Sequence, residues 1–169
     1  MYTIAFLALT YVFVPGGPNI ISANLDLQRA LTIRREHGSH FLWFKRDGHA
    51  YVIRDRETLD RIDALFADAR AMDPDQERLH AKMRPLEDRE NDLDREADAI
   101  SDDDHRTRRD EEHLRELQRE LRDVESKLRD YEREEERLDR RRDRLEMDAE
   151  AKMVPIVDDA IRRGIAKRE

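Results

Sequence analysis

The sequence predicts a mainly α protein, a long antiparallel helical hairpin acting as a coiled-coil stalk, with a small α+β head containing one β-hairpin. Three observations predict it. Heptad core positions, most of them apolar, recur in alternating steps of three and four from Ile62 to Ile100, the same spacing resumes in another phase from Thr107 to Leu145, and a strong two-residue turn, Asp47-Gly48, separates two strand-forming runs.

The first seam reads Ile62, Leu65, Ala69, Met72, Gln76, Leu79, Met83, Leu86, Glu90, Leu93, Ala97 and Ile100. The second reads Thr107, Asp110, Leu114, Leu117, Leu121, Val124, Leu128, Tyr131, Glu135, Leu138, Arg142 and Leu145. One helix running through both would need a local overwinding where the phase changes. A chain folded back on itself needs none: Leu79 meets Leu128, Met83 meets Val124, Leu86 meets Leu121 and Leu93 meets Leu114. A shift of one heptad fits the periodicity equally well, so composition places the turn. Ser101-Asp102-Asp103-Asp104-His105 offers a capping-box variant and carboxylates for a new helix start, and no apolar residue occurs from Ser101 to His113. Since Gly and Pro are missing there, the alternative is a continuous helix forming a parallel coiled-coil oligomer.

Charged residues make up 44% of the chain, which leaves little apolar material for a broad core and suits a narrow buried stripe instead. Pairs such as Glu125/Arg129 and Glu136/Arg140 at i, i+4 support the helices. A net charge of −8 with interspersed signs argues against nucleic acid or an anionic membrane as partner. Cysteine is absent, which excludes disulfides and thiolate metal sites.

Residues 1–23 read as a signal peptide. Ile4 to Val14 is mostly apolar and too short to span a bilayer, Pro15-Gly16-Gly17-Pro18 breaks any helix, and Ile21 and Ala23 fit a cleavage site before Asn24. The n-region lacks Lys and Arg, and the competing reading is a buried strand or an uncleaved anchor. Export would place the mature chain outside the cytoplasm, in the periplasm or secreted, without stable membrane insertion after cleavage.

The head is expected over 24–55, with a β-hairpin at 40–54 that pairs Arg46 with His49, Phe44 with Tyr51 and Leu42 with Ile53. Both faces of that hairpin are apolar, and an isolated hairpin is marginal in water, so it needs a cover. Leu25 to Glu36, with Leu27, Ala30, Leu31 and Ile33, is one candidate. The other is a C-terminal helix over 154–166, in which Ile156, Val157, Ala160, Ile161 and Ile165 form an apolar face and Gly164 a stop. The helical hairpin itself is assigned to 56–150, with its turn near 101–105. Asp55 caps its first helix, Asp73-Pro74-Asp75-Gln76 resembles a second start, and Pro74 and Pro85 read as kinks or short breaks.

The segment Phe41-Leu42-Trp43-Phe44-Lys45-Arg46-Asp47-Gly48, continuing through Tyr51-Val52-Ile53-Arg54-Asp55, resembles one found in uncharacterised exported bacterial coiled-coil proteins. It is also similar to segments in the extracytoplasmic tails of β-lactam-sensor-type membrane metallopeptidases. The resemblance implies an envelope location and a link to a sensing or proteolytic pathway. It carries over no catalytic residue, because the His-Glu-x-x-His zinc motif is missing.

Chemical motifs are sparse. His37 and His40, with Asp55, invite a zinc or copper reading, but ordinary loop and strand-end roles account for them better. The aspartates at 102–104 lack the glycine and spacing of a calcium loop. No phosphate-binding glycine loop or nucleophile elbow is present. The expectation is therefore a protein that is not an enzyme, holds no cofactor or metal, and works through a protein partner or self-association. Trp43, Phe44 and Tyr51 are the candidate partner contacts if the head leaves them exposed, and core filling is the competing role. A regulatory component binding a small ligand or metal in the head is the second functional class.

Overall fold

The computed structural model describes residues 9–16, 19–101 and 107–169. In chain order the elements are β1 (Thr10–Val14), β2 (Ile21–Ala23), α1 (Leu27–His37), β3 (Phe41–Arg46), β4 (His49–Ile53), α2 (Arg56–Leu65), α3 (Ala67–Arg70), α4 (Asp73–Ser101), α5 (Arg108–Arg162) and β5 (Lys167–Arg168). They fall into two units. One comprises the chain up to Ala69 together with Arg144–Glu169, and the other Arg70–Asp143.

The first unit contains a five-stranded antiparallel sheet in the order β2-β1-β3-β4-β5, where the sequence predicts a single β-hairpin. The β3–β4 hairpin has the expected register, with Arg46 opposite His49, Phe44 opposite Tyr51 and Leu42 opposite Ile53. Asp47 and Gly48 both take positive φ, 51° and 77°, as a type I′ turn demands.

Alternation along the strands sends side chains to two apolar faces, and each has a cover. One face presents Tyr11, Phe13, Leu42, Phe44 and Ile53 to Leu59 and Ile62 of α2, to Phe66, and to Ala149, Met153, Val157 and Ala160 of α5. The other presents Val12, Val14, Phe41, Trp43 and Val52 to Ala30 and Ile33 of α1. Both candidate covers are thus used, one on each side.

The leader reading meets a direct obstacle here. Residues 10–14 form β1, hydrogen-bonded between β2 and β3, and Tyr11, Val12, Phe13 and Val14 are all buried. Residues 21–23 are the edge strand β2. A domain starting at Asn24 lacks both strands, so the compact unit begins earlier than the sequence boundary. An apolar run that is buried on both faces of a sheet has the length and composition of a leader's central region, which is why the two readings compete.

The C-terminal segment differs as well. No separate helix occupies 154–166, because α5 continues unbroken through Pro155 to Arg162. An interior proline costs about 3 kcal/mol. Burial of Met153, Val157 and Ala160 on one face of the same helix offsets it. Gly164, at φ 71°, ends the helix as expected. Ile165 and Ala166 both donate backbone N–H bonds to the Ala160 carbonyl, and β5 then adds to the β4 edge.

In the second unit α4 and α5 pack together through Leu79, Met83, Leu93, Leu117, Val124 and Leu128. From Gln76 to Ile100 every seam position is buried or half-buried and every other position is exposed. Cross-helix partners come in reversed order. Gln76 donates to Asp139 at 2.9 Å and His80 meets Glu135 at 2.7 Å, whereas Arg89 meets Glu120 at 2.8 Å and Glu96 meets His113 at 2.9 Å. Helix α4 is described as far as Ser101 and α5 from Arg108, with Thr107 just ahead of it outside the helix. Of the expected turn at 101–105, residues 102–105 lie outside the described residues. Pro85 is inside α4 and Pro74 is in its first turn, where a missing N–H is harmless. Ahead of it the arm is broken at Phe66 and at residues 71–72.

Arg142 and Glu135 occupy half-buried seam positions. Arg142 contacts Asp73 at 3.2 Å and donates to Gln76 at 2.8 Å, and Glu135 pairs with His80. Partly exposed ion pairs of this kind contribute at most about 1 kcal/mol, less than a leucine packed in the same place. Replacing both Arg142 and Glu135 with Leu is expected to raise stability by about 1 kcal/mol per site and to broaden the range of oligomeric states, read by urea denaturation and light scattering. Unchanged stability and assembly would count against a seam at these positions.

Candidate functional site

The three aromatic candidates fall in one hairpin but not on one surface. Phe44 is fully buried, and its ring stacks on Tyr51 at 5.5 Å between centroids. Trp43 points to the opposite face, is also buried, and donates from Nε1 to Glu169 Oε2 at 2.8 Å. Only Tyr51 is half-buried, packed against the first core cluster. Trp43 and Phe44 therefore fill the two cores, and the partner contact considered for them is not available on this surface.

The histidines and Asp55 are engaged separately. His37 Nε2 lies 3.1 Å from Glu169 Oε1, its carbonyl accepts from Arg54, and its ring sits 5.2 Å from that of Phe41. His40, at φ 61°, meets the Pro15 carbonyl through Nδ1 at 2.8 Å. Asp55 caps α2, accepting from the Thr58 hydroxyl at 2.6 Å and the Thr58 N–H at 2.9 Å. The Thr58 hydroxyl and then its amide hold that carboxyl below the usual carboxylate range. A carboxylate committed to a helix cap is a poor third ligand. Among the described residues no group of three or more His, Cys, Asp or Glu is placed to hold a metal ion.

Glu169 links Trp43 and His37, while its own N–H donates to the Ala50 carbonyl at 3.1 Å. This terminal strap was not legible in the sequence, because β5 is two charged residues with no apolar alternation.

Among the described residues the phenol of Tyr11 is displaced furthest from its ordinary range. Burial first, and the carboxylate of Glu150 second, push its phenol well above the usual range; its hydroxyl donates to Glu150 Oε1 at 3.1 Å. A phenol kept protonated by the fold contributes stability that is present below its ordinary pKa of about 10 and is lost as pH rises above it. Tyr11→Phe is expected to cost about 1 kcal/mol at neutral pH and to flatten the alkaline limb of the stability profile. An alkaline limb identical to that of the parent chain, followed by urea midpoints from pH 8 to 11, would contradict this.

Among the described residues, the α/β unit carries open concavities. A cleft of about 510 Å³ is lined by Arg46, Asp47, Pro155, Asp158, Ile161 and Arg162. Its cations are already paired, Arg46 with Asp158 at 3.0 Å and Arg162 with Asp159 at 3.3 Å, so it offers little net charge to a ligand. A groove of about 580 Å³ is lined by Leu31, Arg34, Arg35, Gly38 and Ser39 at the C-terminal end of α1. Leu27, four residues before Leu31 on the same helix, is 67% exposed. The sequence carried a signal for this strip: Leu27 and Leu31 share a helical face offset from Ala30 and Ile33, so one helix holds two apolar stripes. Reading all four as a single cover concealed it.

No helix among the described residues is long and apolar enough to cross a membrane. The chain matches no protein-family model, no curated protein and no solved structure.

Proposed function

We propose that this chain is a non-enzymatic protein-interaction or structural module whose α4/α5 pair is an antiparallel coiled-coil hairpin. The observation that carries the reading is the division of that pair's surface. Between Gln76 and Ile100 burial is confined to positions spaced three and four apart, the seam geometry of coiled coils. The reversed order of the cross-helix pairs, from Gln76–Asp139 to Glu96–His113, supports the antiparallel sense. The exposed large hydrophobics among the described residues, Leu27 and Met147, both lie outside Arg70–Asp143. With its apolar side chains used in one seam and a charged exterior, the pair suits a spacer or a polar docking surface better than further helix bundling.

An extracytoplasmic location belongs to the same proposal, on the resemblance of residues 41–55 to exported bacterial proteins. On this reading residues 10–23 stay with the chain, and their place in β1 and β2 supports that.

The test is affinity purification of the full chain from crosslinked, fractionated cells of the native host, with Leu93→Asp as the control for a broken helix pair. Enrichment of a defined protein set, lost in the control, is the expected result. No enrichment over the control, from a chain that runs as a monomer, would contradict an interaction module.

A further inference from the structure

We infer that the outer edge of β4, with His37 Nε2 and Trp43 Nε1 beside it, is a strand-addition site for an extended, glutamate-bearing segment of a partner protein, and that residues 167–169 occupy it in cis. The inference deepens the interaction-module reading and rests on it. Two ring nitrogens converge on one carboxylate. Trp43 Nε1 donates to Glu169 Oε2 at 2.8 Å and His37 Nε2 lies 3.1 Å from Oε1, so each oxygen has its own partner. Arg54 sets the imidazole for this contact. Its Nη1 donates to the His37 carbonyl at 2.9 Å and its Nη2 lies 3.4 Å from Nδ1. A guanidinium only donates, so Nδ1 accepts and the proton of the neutral ring sits on Nε2, toward the carboxylate. The ring of Trp43 stays in its core, and only its N–H edge takes part.

Those donors select the occupant. The backbone half of the site is the β4 edge, where Val52 pairs with Lys167, Tyr51 with Arg168, and the Ala50 carbonyl accepts from the Glu169 N–H at 3.1 Å. Main-chain bonds of this kind give affinity, and a side-chain pocket gives specificity. A glutamine would turn its NH2 group toward one of the two donors, and an aspartate is one methylene shorter than the side chain now held. An acceptor is needed because the Trp43 N–H is buried, and a buried donor left without a partner is unfavourable. The cis occupant is lightly held. Lys167, Arg168 and Glu169 are all exposed, and β5 covers two of the five residues of β4. Ala166 is the last residue seated in a core, so 167–169 can leave the edge without unpacking α5. Short exposed edge segments open at the low end of local stability, and a longer strand covers more of β4 than β5 does.

The probe is a synthetic peptide with blocked ends that repeats residues 165–169, titrated into the isotope-labelled full chain and into its Glu169→Gln variant. Trp43 is the single tryptophan, so one indole N–H resonance reports the site. Glu169→Gln is expected to move that resonance while far-UV circular dichroism stays native. The peptide should bind the variant saturably, return the resonance toward its parent position and shift amides confined to residues 37, 43 and 49–54. Binding to the parent chain, whose own strap competes, should be roughly tenfold weaker, as should binding to the variant of peptides with glutamine or aspartate in place of the glutamate. An indole resonance indifferent to Glu169→Gln, no saturable binding to the variant, equal binding of the glutamine peptide, or exchange of the strap between two copies of the chain would each overturn the inference. If the peptide fails while the host complex still depends on an intact helix pair, the strand site is removed and the interaction-module reading stands.

Discussion

A chain that starts at Asn24 is expected to lose the fold of its α/β unit. Such a chain lacks β1 and β2, and with β1 go the buried side chains of Tyr11, Val12, Phe13 and Val14. Burial of each contributes about 1.5–3 kcal/mol, so the strand supplies roughly 6–12 kcal/mol, comparable with the whole stability of a typical domain. The loss does not end with these contacts. β3 would become an edge with unpaired backbone groups along Phe41–Lys45, a template for aggregation. The Tyr11 and Phe13 rings also lie 6.4 and 6.3 Å from that of Phe66, which would lose its aromatic neighbours. Trp43 reports the outcome: its emission should shift to the red and its cooperative unfolding transition disappear. A truncated chain with native Trp43 emission and a cooperative transition would restore the reading of 1–23 as a removable leader. The intact mass of the protein recovered from native cells adds an independent check, with retention of residues 10–23 expected.

Leu93→Asp is expected to disrupt the α4/α5 pair at a cost of at least about 4 kcal/mol. Leu93 is 1% exposed, the most deeply buried side chain of its cluster. The substitution removes a packed aliphatic group, worth about 2–5 kcal/mol with its cavity, and puts a carboxylate where the nearest groups are apolar. Few compensating interactions are available, because the flanking ion pairs are exposed and individually worth little. Far-UV circular dichroism should lose helical signal at lower urea than in the parent chain. Trp43 emission should stay native, since its core is built from β1, β3, β4 and α1. Retained helicity with an unchanged midpoint would mean that Leu93 does not sit in a continuous seam.

What could be read from the sequence follows from how local each signal is. The packed stripe of α4 and α5 was legible from Gln76 onward because the same spacing repeats several times, and even its polar members, Gln76, Glu90 and Arg142, occupy half-buried positions. The β3–β4 register was legible because Asp47-Gly48 fixes the turn, and the turn fixes every pair above it. The sheet as a whole was not. β1 is apolar without alternation, β2 is three residues and β5 two, so none carries a period. Their pairing depends on partners far away in sequence, as with Val12 opposite Trp43 and Val52 opposite Lys167. Pro155 misled for a related reason: its local cost suggests a boundary, and the long-range burial of Met153 and Val157 that overrides it is invisible in a short window. At the aromatic trio, composition identified Trp43, Phe44 and Tyr51 as large contact groups, but only the sheet on both sides of β3 decides that Trp43 and Phe44 face inward.

The antiparallel pairing of α4 with α5 inside one chain is tested most directly by a distance between spin labels at Lys82 and Lys127. The natural sequence has no cysteine, so two introduced thiols are labelled without background. Both positions are exposed, and each lies one heptad from the Arg89–Glu120 bridge. Helices packed side by side are 8–10 Å apart, which with the label tethers gives a distance of about 20 Å. That distance should persist on dilution with unlabelled chain. A separation near 68 Å, that of one unbroken helix at about 1.5 Å per residue, or a short distance that vanishes on dilution, would contradict a hairpin.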